Sequence, residues 1–189
     1  MSKLIITATA LLGATTGNKS LELRIPEEVK LAALKKFGID LHEPVVAVHP
    51  WTSDPVKQWP LERFKALVDG LAISSLGRVV IIGKPEPWHQ PVVFAGKNIT
   101  DLSGKTTLVE AAAVLGHCRC LVSCDSGPVH LASAVGTSVV ALFRNDMPGK
   151  NPERWGPWGK GHQVIQAAGM DKICVDDVSR AVDQITGKV

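Results

Sequence analysis

Short apolar runs alternate along the chain with longer segments in which apolar residues recur at helical spacing. The runs lie at Val45–His49, Arg78–Gly83, Cys118–Ser123 and Ser138–Phe143. Each is largely apolar throughout rather than at every second position, which is typical of parallel strands that are buried on both faces. Strands that alternate with helices predict an α/β fold with a doubly wound, Rossmann-like parallel sheet.

The predicted helices begin with residues that favour helix starts. Pro26 and Pro60 suit the first helical turn, because proline has no backbone N–H to leave unpaired there. Thr107 and Glu110 have the spacing of a capping box. The helices are expected at Pro26–Phe37, Pro60–Leu71, Leu108–Leu115, Pro128–Val135 and Asp176–Ile185.

The composition is that of a globular protein of ordinary size. The 189 residues are 45% hydrophobic and 21% charged, which is enough apolar material for a core without disulfides. Disordered, collagen-like and disulfide-rich classes are therefore excluded. The formal net charge of +3 is too small to indicate a nucleic-acid-binding protein, but it suits an anionic small ligand.

The cysteines and the first residues bear on the compartment. Cys118, Cys120 and Cys124 alternate along one run, so the spacing places them on one face of a strand as small buried thiols. A zinc site that includes His117 is a weaker alternative, because the chain has no C-x-x-C pair. Reduced thiols indicate the cytoplasm. The apolar start, Lys3–Leu12, is too short to cross a bilayer, and a signal peptide is the alternative to a strand or helix there.

Two segments have features of nucleotide-binding loops. Gly13–Ser20 carries the first glycine, the lysine and the serine of a P-loop, but its second glycine comes one place early. The following Leu21–Ile25 alternates like a strand, whereas a P-loop has to open a helix. Ser103–Thr107 does precede a helix, but Ile99 stands where the first glycine of the motif belongs. A P-loop hydrolase that requires magnesium and Lys19 is therefore a minor alternative.

The segment Asp125–His130 is a stronger candidate for an anion site, because it lies directly between a predicted strand and a predicted helix. Gly127 permits a ligand to approach the backbone, and Pro128 presets the first helical turn. The free N–H groups at a helix N-terminus favour a phosphate there. Ser126 adds a hydroxyl, and His130 lies one turn into the helix. A capped helix without a ligand is the plain alternative.

A second polar loop, His49–Pro60, follows the first predicted strand. Thr52 and Ser53 supply hydroxyls, and Lys57 supplies an ammonium group, which neutralises phosphate charge well. In doubly wound sheets ligands bind beyond the carboxyl ends of strands. The two loops are therefore interpreted as parts of one site. For the loop His49–Pro60, the alternative is a solvated turn without a ligand.

At these loops the chain resembles the donor-nucleotide domain of the ADP-heptose:lipopolysaccharide heptosyltransferases, glycosyltransferase family nine. The similar stretches are Val46–Pro60, Val79–Glu86, Leu102–Leu115, Leu121–Phe143 and Arg154–Gly159. Within them the run Ser123–Ala132 is quite specific to this family. The resemblance starts near Leu21, so residues 1–20 are expected to be a remnant of an interdomain region or N-terminal domain. Residues 21–189 are expected to form a sugar-nucleotide-binding, Rossmann-like domain.

The resemblance implies a glycosyltransferase of the two-domain B fold. The C-terminal half would bind a nucleotide-sugar donor, and the N-terminal half a lipid-linked saccharide acceptor of the lipopolysaccharide-core type. Transfer would invert the anomeric carbon by direct displacement of a nucleoside diphosphate. No metal ion or other cofactor is expected, because a lysine and a helix N-terminus neutralise the leaving group. The implied location is the cytoplasm, including the inner face of the inner membrane.

Roles carry over by position in the family motifs. Lys57 is expected to stabilise the leaving phosphate, with Thr52 and Ser53 beside it. The residues expected at the phosphate and sugar end of the donor are Asp125, Ser126, Gly127, Pro128 and His130. The residues expected at the nucleoside are Glu86, at the ribose, and Thr106 and Thr107.

Some positions depart from the family pattern. Trp51 and Lys84 stand where glycine is usual, and Cys124 stands where asparagine is common. The aspartate that resembles the acceptor-activating base belongs to the N-terminal domain of the family, so that base is expected in a separate acceptor-binding domain or chain. A sugar-nucleotide-binding module without turnover is the alternative function.

We predict that the purified 189-residue chain transfers no sugar to lipid-linked acceptors, because the expected base lies outside it. Mass spectrometry of the acceptor after incubation with a nucleotide sugar checks this, and a full-length family-nine heptosyltransferase serves as positive control. Robust transfer by the chain alone would contradict the prediction.

Overall fold

A six-stranded sheet lies at the centre of the computed structural model, which describes residues 21–74, 76–149 and 151–187. The strands are β1 (Val45–His49), β2 (Arg78–Ile81), β3 (Ile99–Asp101), β4 (Cys120–Cys124), β5 (Ser138–Arg144) and β6 (Gln163–Ala167). The helices are α1 (Glu27–Lys36), α2 (Leu61–Ile73), α3 (Leu108–Leu115), α4 (Gly127–Ala134), α5 (Pro152–Trp155) and α6 (Val175–Thr186). The order across the sheet is β3-β2-β1-β4-β5-β6, and every pairing is parallel. The predicted doubly wound α/β fold is thereby confirmed.

The helices bury the sheet from both sides. On one face α2 and α6 pack on strand residues that include Val48, Val122 and Leu142. On the other face α1, α3 and α4 cover residues that include Ala47 and Leu121. All five positions of β1 and of β4 are buried. Burial on both faces is why these strands are continuous apolar runs in the sequence.

The sequence prediction located the central strands and the longer helices but missed β3 and β6. Both missed strands lie at the edges of the sheet. The three residues of β3 are all half-buried, and the residues of β6 alternate between half-buried and exposed. Neither strand therefore has the continuous apolar run that identifies a central parallel strand.

The prediction that Cys118, Cys120 and Cys124 share one face of a strand is wrong for Cys118. Strand β4 begins only at Cys120, and the Cys118 N–H and thiol donate to the carbonyls of Leu115 and Val114 at the end of α3. Cys118 consequently packs beneath the opposite face of the sheet from the other two. Burial raises the pKa of Cys120 and Cys124 to about 12, so both thiols stay protonated and unreactive.

The long segment between Arg144 and His162 was interpreted from the sequence as cover for a ligand site. It runs from the carboxyl ends of the strands back to their amino ends. Strands β5 and β6 are parallel neighbours, and such strands need a crossover connection. The segment leaves the carboxyl end of β5 and ends where Nδ1 of His162 accepts a hydrogen bond from the N–H of Val139, near the amino end of β5.

Some interpretations of the sequence concern residues outside the described ones. These are the P-loop-like segment Gly13–Ser20, the apolar start Lys3–Leu12, and the assignment of residues 1–20 to a domain remnant. Across the described ranges, no helix has the length and apolar character that a membrane span requires.

We predict that Leu67→Ala lowers the free energy of unfolding by about 2–5 kcal/mol, because Leu67 is buried in the core between α2 and the sheet. The matched control is Ile73→Ala on the same helix, where the side chain is 89% exposed and the change should stay within about 0.5 kcal/mol. Urea denaturation followed by circular dichroism measures both. Equal losses in the two variants would contradict the described packing of α2.

Candidate functional site

The connections leave β1 and β4, neighbours at the centre of the sheet, in opposite directions. From β1 the chain continues to β2 and β3 on one side, and from β4 to β5 and β6 on the other. The loops after the two strands therefore diverge and leave a crevice, which is where doubly wound sheets bind ligands. The structure brings together at this crevice the two loops that the sequence singled out, His49–Pro60 and Asp125–His130.

Lys57 reaches the crevice from the first loop. A 3₁₀ helix spans Pro55–Lys57, and Asp54 caps it by accepting a hydrogen bond from the N–H of Val56 at 3.2 Å. The Lys57 ammonium lies 2.6 Å from Oδ2 of Asp125, with side-chain exposures of 24% and 9%. This buried Oδ2 accepts no hydrogen bond of regular geometry from the described residues. The ion pair with Lys57 is therefore what compensates the burial of the carboxylate.

Arg144 is a second cation at the crevice, and the sequence analysis missed it. Its Nη1 donates to the carbonyl of Val56 at 3.2 Å, which ties the Lys57 loop to the end of β5. Its Nε and Nη2 bind the carboxylate of Asp146 at 2.8 and 2.6 Å. Together with Lys57 and Asp125 it lines a small cavity. The signal in the sequence was its position, directly after the buried run of a strand that ends at the same edge.

A buried histidine joins the ends of β1 and β4. Nδ1 of His49 lies 3.1 Å from Oγ of Ser123 and 3.2 Å from Oγ of Ser126, and the two hydroxyls lie 3.0 Å apart. Burial, assisted by the nearby His89, lowers the pKa of His49 to about 4. The imidazole is therefore neutral at physiological pH and takes part in this network without a charge.

The N-terminus of α4 lies at the crevice without a side-chain cap. Ser126 is the N-cap residue, but its hydroxyl makes no hydrogen bond to the helix and instead joins the network around His49. Gly127 is exposed and Pro128 occupies the first turn, so the N-terminal N–H groups and the positive end of the helix dipole remain available to an anion. His130 follows one turn later, and burial lowers its pKa against the opposing charge of Asp125.

The hydroxyl residues of the first loop differ in their surroundings. Thr52 is buried and its Oγ1 accepts a hydrogen bond from the N–H of Asp54 at 3.3 Å, whereas Ser53 is exposed. Trp51 is buried and packs edge-on against His49 and Phe94, with ring centroids 6.4 and 6.1 Å apart. The indole thus fills core space next to Thr52 at the start of this loop.

The residues expected at a nucleoside follow β2 and β3. The N–H of Gly104 donates to the carbonyl of Gly83 at 2.7 Å, so the two loops lie side by side. Glu86 is exposed and Thr106 half-buried. The hydroxyl of Thr107 already serves the capping box of α3 with Glu110, which leaves it less free for a ligand than the sequence suggested.

The crevice therefore combines an ammonium group, a guanidinium group and a helix N-terminus with one buried carboxylate. Such a set can bind a diphosphate and neutralise charge that develops on it. Within the part of the chain that the structure describes, no group of three or more His, Cys, Asp or Glu side chains is arranged to hold a metal ion.

Comparison with known proteins relates this chain to sugar transferases. The model of glycosyltransferase family 9 (heptosyltransferase) matches residues 2–183. Lipopolysaccharide heptosyltransferase 2 of Escherichia coli K12 is 26% identical over 140 residues, which are 69% of this chain and 40% of that protein. Lipopolysaccharide heptosyltransferase 3 of the same strain is 30% identical over 130 residues, which are 66% of this chain and 36% of that protein.

Solved structures share the fold. A family 9 glycosyl transferase from Veillonella parvula superposes with a TM-score of 0.78 at 22% identity, covering 97% of this chain and 59% of that one. An E. coli heptosyltransferase solved with ADP gives a TM-score of 0.67 at 21% identity, covering 94% of this chain and 53% of that one. The chain thus spans 40% of the length of the first curated relative and little more than half of these solved chains.

We predict that Gly83→Ala destabilises the protein more than Gly136→Ala does. Both glycines have positive φ, +94° and +83°, so each alanine carries a backbone cost of about 1–2 kcal/mol. A Cβ at Gly83 would also lie 2.3 Å from Cδ2 and 2.5 Å from Nε2 of His49, whereas nothing lies within 4 Å at Gly136. Chemical denaturation should show an additional loss on the order of 1–3 kcal/mol for Gly83→Ala. Equal losses would mean that His49 does not press against Gly83.

Proposed function

The chain belongs to glycosyltransferase family 9, the heptosyltransferase family, and we propose that it forms the donor-binding half of such a transferase. The observation that carries the proposal is the placement of Lys57 beside the uncapped N-terminus of α4 at the divergent ends of β1 and β4. Two sources of positive charge converge there, which suits the diphosphate of a nucleotide sugar.

The diphosphate would compete with Asp125 for Lys57. In the unliganded site the ammonium is 2.6 Å from the carboxylate, and a phosphate oxygen offers it an equally strong partner. A released Asp125 carboxylate could then accept hydrogen bonds from sugar hydroxyls, while Ser126, Gly127, Pro128 and His130 surround the phosphate and sugar end. Thr52 and Ser53 would contribute hydroxyls from the first loop.

The nucleoside would lie over the loops that follow β2 and β3. Glu86, exposed on the first of them, has a carboxylate that can accept hydrogen bonds from ribose hydroxyls. Thr106 and Thr107 lie on the neighbouring loop. ADP is the first nucleotide to test, because a heptosyltransferase of this fold was solved with ADP.

The proposed reaction is a direct displacement at the anomeric carbon of an ADP-heptose-like donor. The acceptor oxygen bonds to that carbon, the bond to the diphosphate breaks, and the nucleoside diphosphate leaves with the electron pair. Negative charge builds up on the departing phosphate as the bond breaks, so positive charge from Lys57 and α4 stabilises the transition state more than the bound donor. This difference lowers the barrier. An acceptor-binding domain would present a lipopolysaccharide-core-type saccharide and the base that takes its proton.

The proposed location is the cytoplasm, at the inner face of the inner membrane, where a lipid-linked acceptor would be reached. The buried free thiols Cys118, Cys120 and Cys124 support a reducing compartment.

We predict that Lys57→Ala weakens ADP binding about 10- to 100-fold, the loss expected for one charge-assisted contact to phosphate. Isothermal titration calorimetry with ADP, GDP and UDP, each with and without magnesium, measures affinity, and magnesium should have no effect. The matched control is Lys65→Ala, which removes a lysine paired with Asp69 on α2 and should bind ADP like the wild type.

The single variant leaves Asp125 buried without its cation, which can lower stability by roughly 3–5 kcal/mol. The double variant Lys57→Ala, Asp125→Asn removes the buried negative charge as well. Its affinity for ADP can then be measured without that loss of stability. A thermal melt shows that it is folded. Wild-type affinity in the folded double variant, or no binding of any of the three nucleotides by the wild type, would overturn the proposed donor site.

A further inference from the structure

His89 connects two loops of the proposed donor site through hydrogen bonds to both ring nitrogens. Its Nδ1 lies 2.7 Å from the backbone N of Glu86, on the loop after β2. Its Nε2 lies 2.9 Å from Oε1 of Gln58, on the loop after β1. The side chain of Gln58 in turn donates through Nε2 to the carbonyls of Pro50 at 2.8 Å and Trp59 at 2.6 Å.

The partners fix the protonation state of this imidazole. The backbone N–H of Glu86 can only donate, so Nδ1 of His89 has to carry a lone pair. The amide of Gln58 uses its NH₂ group on two carbonyls, so its Oε1 has to accept, and Nε2 of His89 therefore carries the proton. The neutral Nε2–H tautomer of His89 is compatible with every hydrogen bond in the series from Glu86 through His89 and Gln58 to Pro50. Protonation of Nδ1 would remove the acceptor for the N–H of Glu86.

The bridge also orients the exposed part of the loop after β2. Trp88, which is 40% exposed, stacks on the His89 ring with centroids 3.8 Å apart and planes tilted by 32°. Gln58 directly follows Lys57, and Glu86 provides the carboxylate proposed for the ribose. His89 thus links the loop that carries Glu86 to the loop that carries Lys57.

We propose that neutral His89 is a positioning residue, which holds the loop of Glu86 against the loop of Lys57 and so fixes the span of the site for a nucleotide diphosphate. This inference rests on the proposed function. His89 touches neither the phosphates nor the sugar in this proposal, and it acts through Glu86 and Gln58.

The groups that act electrostatically on His89 determine the direction of the pH dependence. Burial lowers its pKa from the ordinary 6.5, and the negative charge of Glu86 opposes that shift. His49, at the end of β1, is the other titratable group coupled to it, and it stays neutral until about pH 4. His89 is therefore neutral above the ordinary histidine range and becomes charged as the pH falls below it, which breaks the bond to Glu86 N–H.

The test measures affinity for ADP-glucose between about pH 8 and pH 5, a range in which its diphosphate diester does not titrate but histidine does. We expect the wild type to lose about five- to ten-fold in affinity across this range, the equivalent of one hydrogen bond. His89→Asn retains an acceptor near the Nδ1 position but lacks the reach to Gln58. It should bind a few-fold more weakly than the wild type at the upper pH, with a flatter profile. His89→Ala should bind more weakly than His89→Asn.

His162 supplies a matched control at the opposite edge of the sheet. Its Nδ1 accepts from the N–H of Val139 at 3.1 Å and its Nε2 donates to the carbonyl of Trp158 at 3.1 Å, the same donor and acceptor arrangement. His162→Asn should retain the affinity and pH profile of the wild type. Thermal melts confirm that each variant is folded at both ends of the pH range.

The outcomes separate the two proposals. If the wild type binds ADP-glucose and His89→Asn shows the same affinity and the same pH profile, the positioning role of His89 is wrong while the donor site stands. If the wild type binds no nucleotide at any pH, the proposed function fails, and the role of His89 toward a nucleotide fails with it. Nitrogen NMR of the ring that shows the Nδ1–H tautomer at neutral pH would also overturn the inference.

Discussion

The constraint from which the site follows is the reversal of strand order between β1 and β4. A parallel sheet buried on both faces needs every connection to cross from its carboxyl edge to its amino edge. Where successive connections turn away from each other, the loops cannot pack together, and a crevice stays open in an otherwise close-packed domain. The chain places its lysine loop and its uncapped helix at this gap. The helices α2 and α6 on one face and α1, α3 and α4 on the other keep the two strand ends fixed.

The buried carboxylate of Asp125 is the main cost of this arrangement, and the Lys57 ion pair offsets it. A buried pair gives little net stability, but loss of one partner is expensive. A phosphate that takes over Lys57 would therefore have to leave Asp125 with new partners. Donor hydroxyls are suitable partners, so in the proposed function the same carboxylate serves first as a counter-ion and then as a sugar ligand.

Trp51 and Cys124 have structural roles beside the site. Trp51 packs its indole between His49 and Phe94, so its side chain contributes to the core. The sulfur of Cys124 accepts a hydrogen bond from the N–H of Trp59 at 3.4 Å. Both contacts tie the loop of Lys57 to the sheet. The loop is thus held by apolar packing and by Gln58 at one end and by Arg144 at the other.

Local patterns in the chain were enough to predict the fold class, the central strands, the longer helices and the loops that carry Lys57 and Asp125. These features depend on local patterns: buried parallel strands are continuous apolar runs, and helix starts have their own residue preferences. Which side chains contact one another could be seen only in the folded protein. Residues distant in sequence are joined by the pairing of Lys57 with Asp125, by the contact of Arg144 with Val56 and by the bridge from His89 to Gln58. Their partners follow from strand order and loop direction, and β3 and β6 escaped detection because edge strands lack a continuous apolar run.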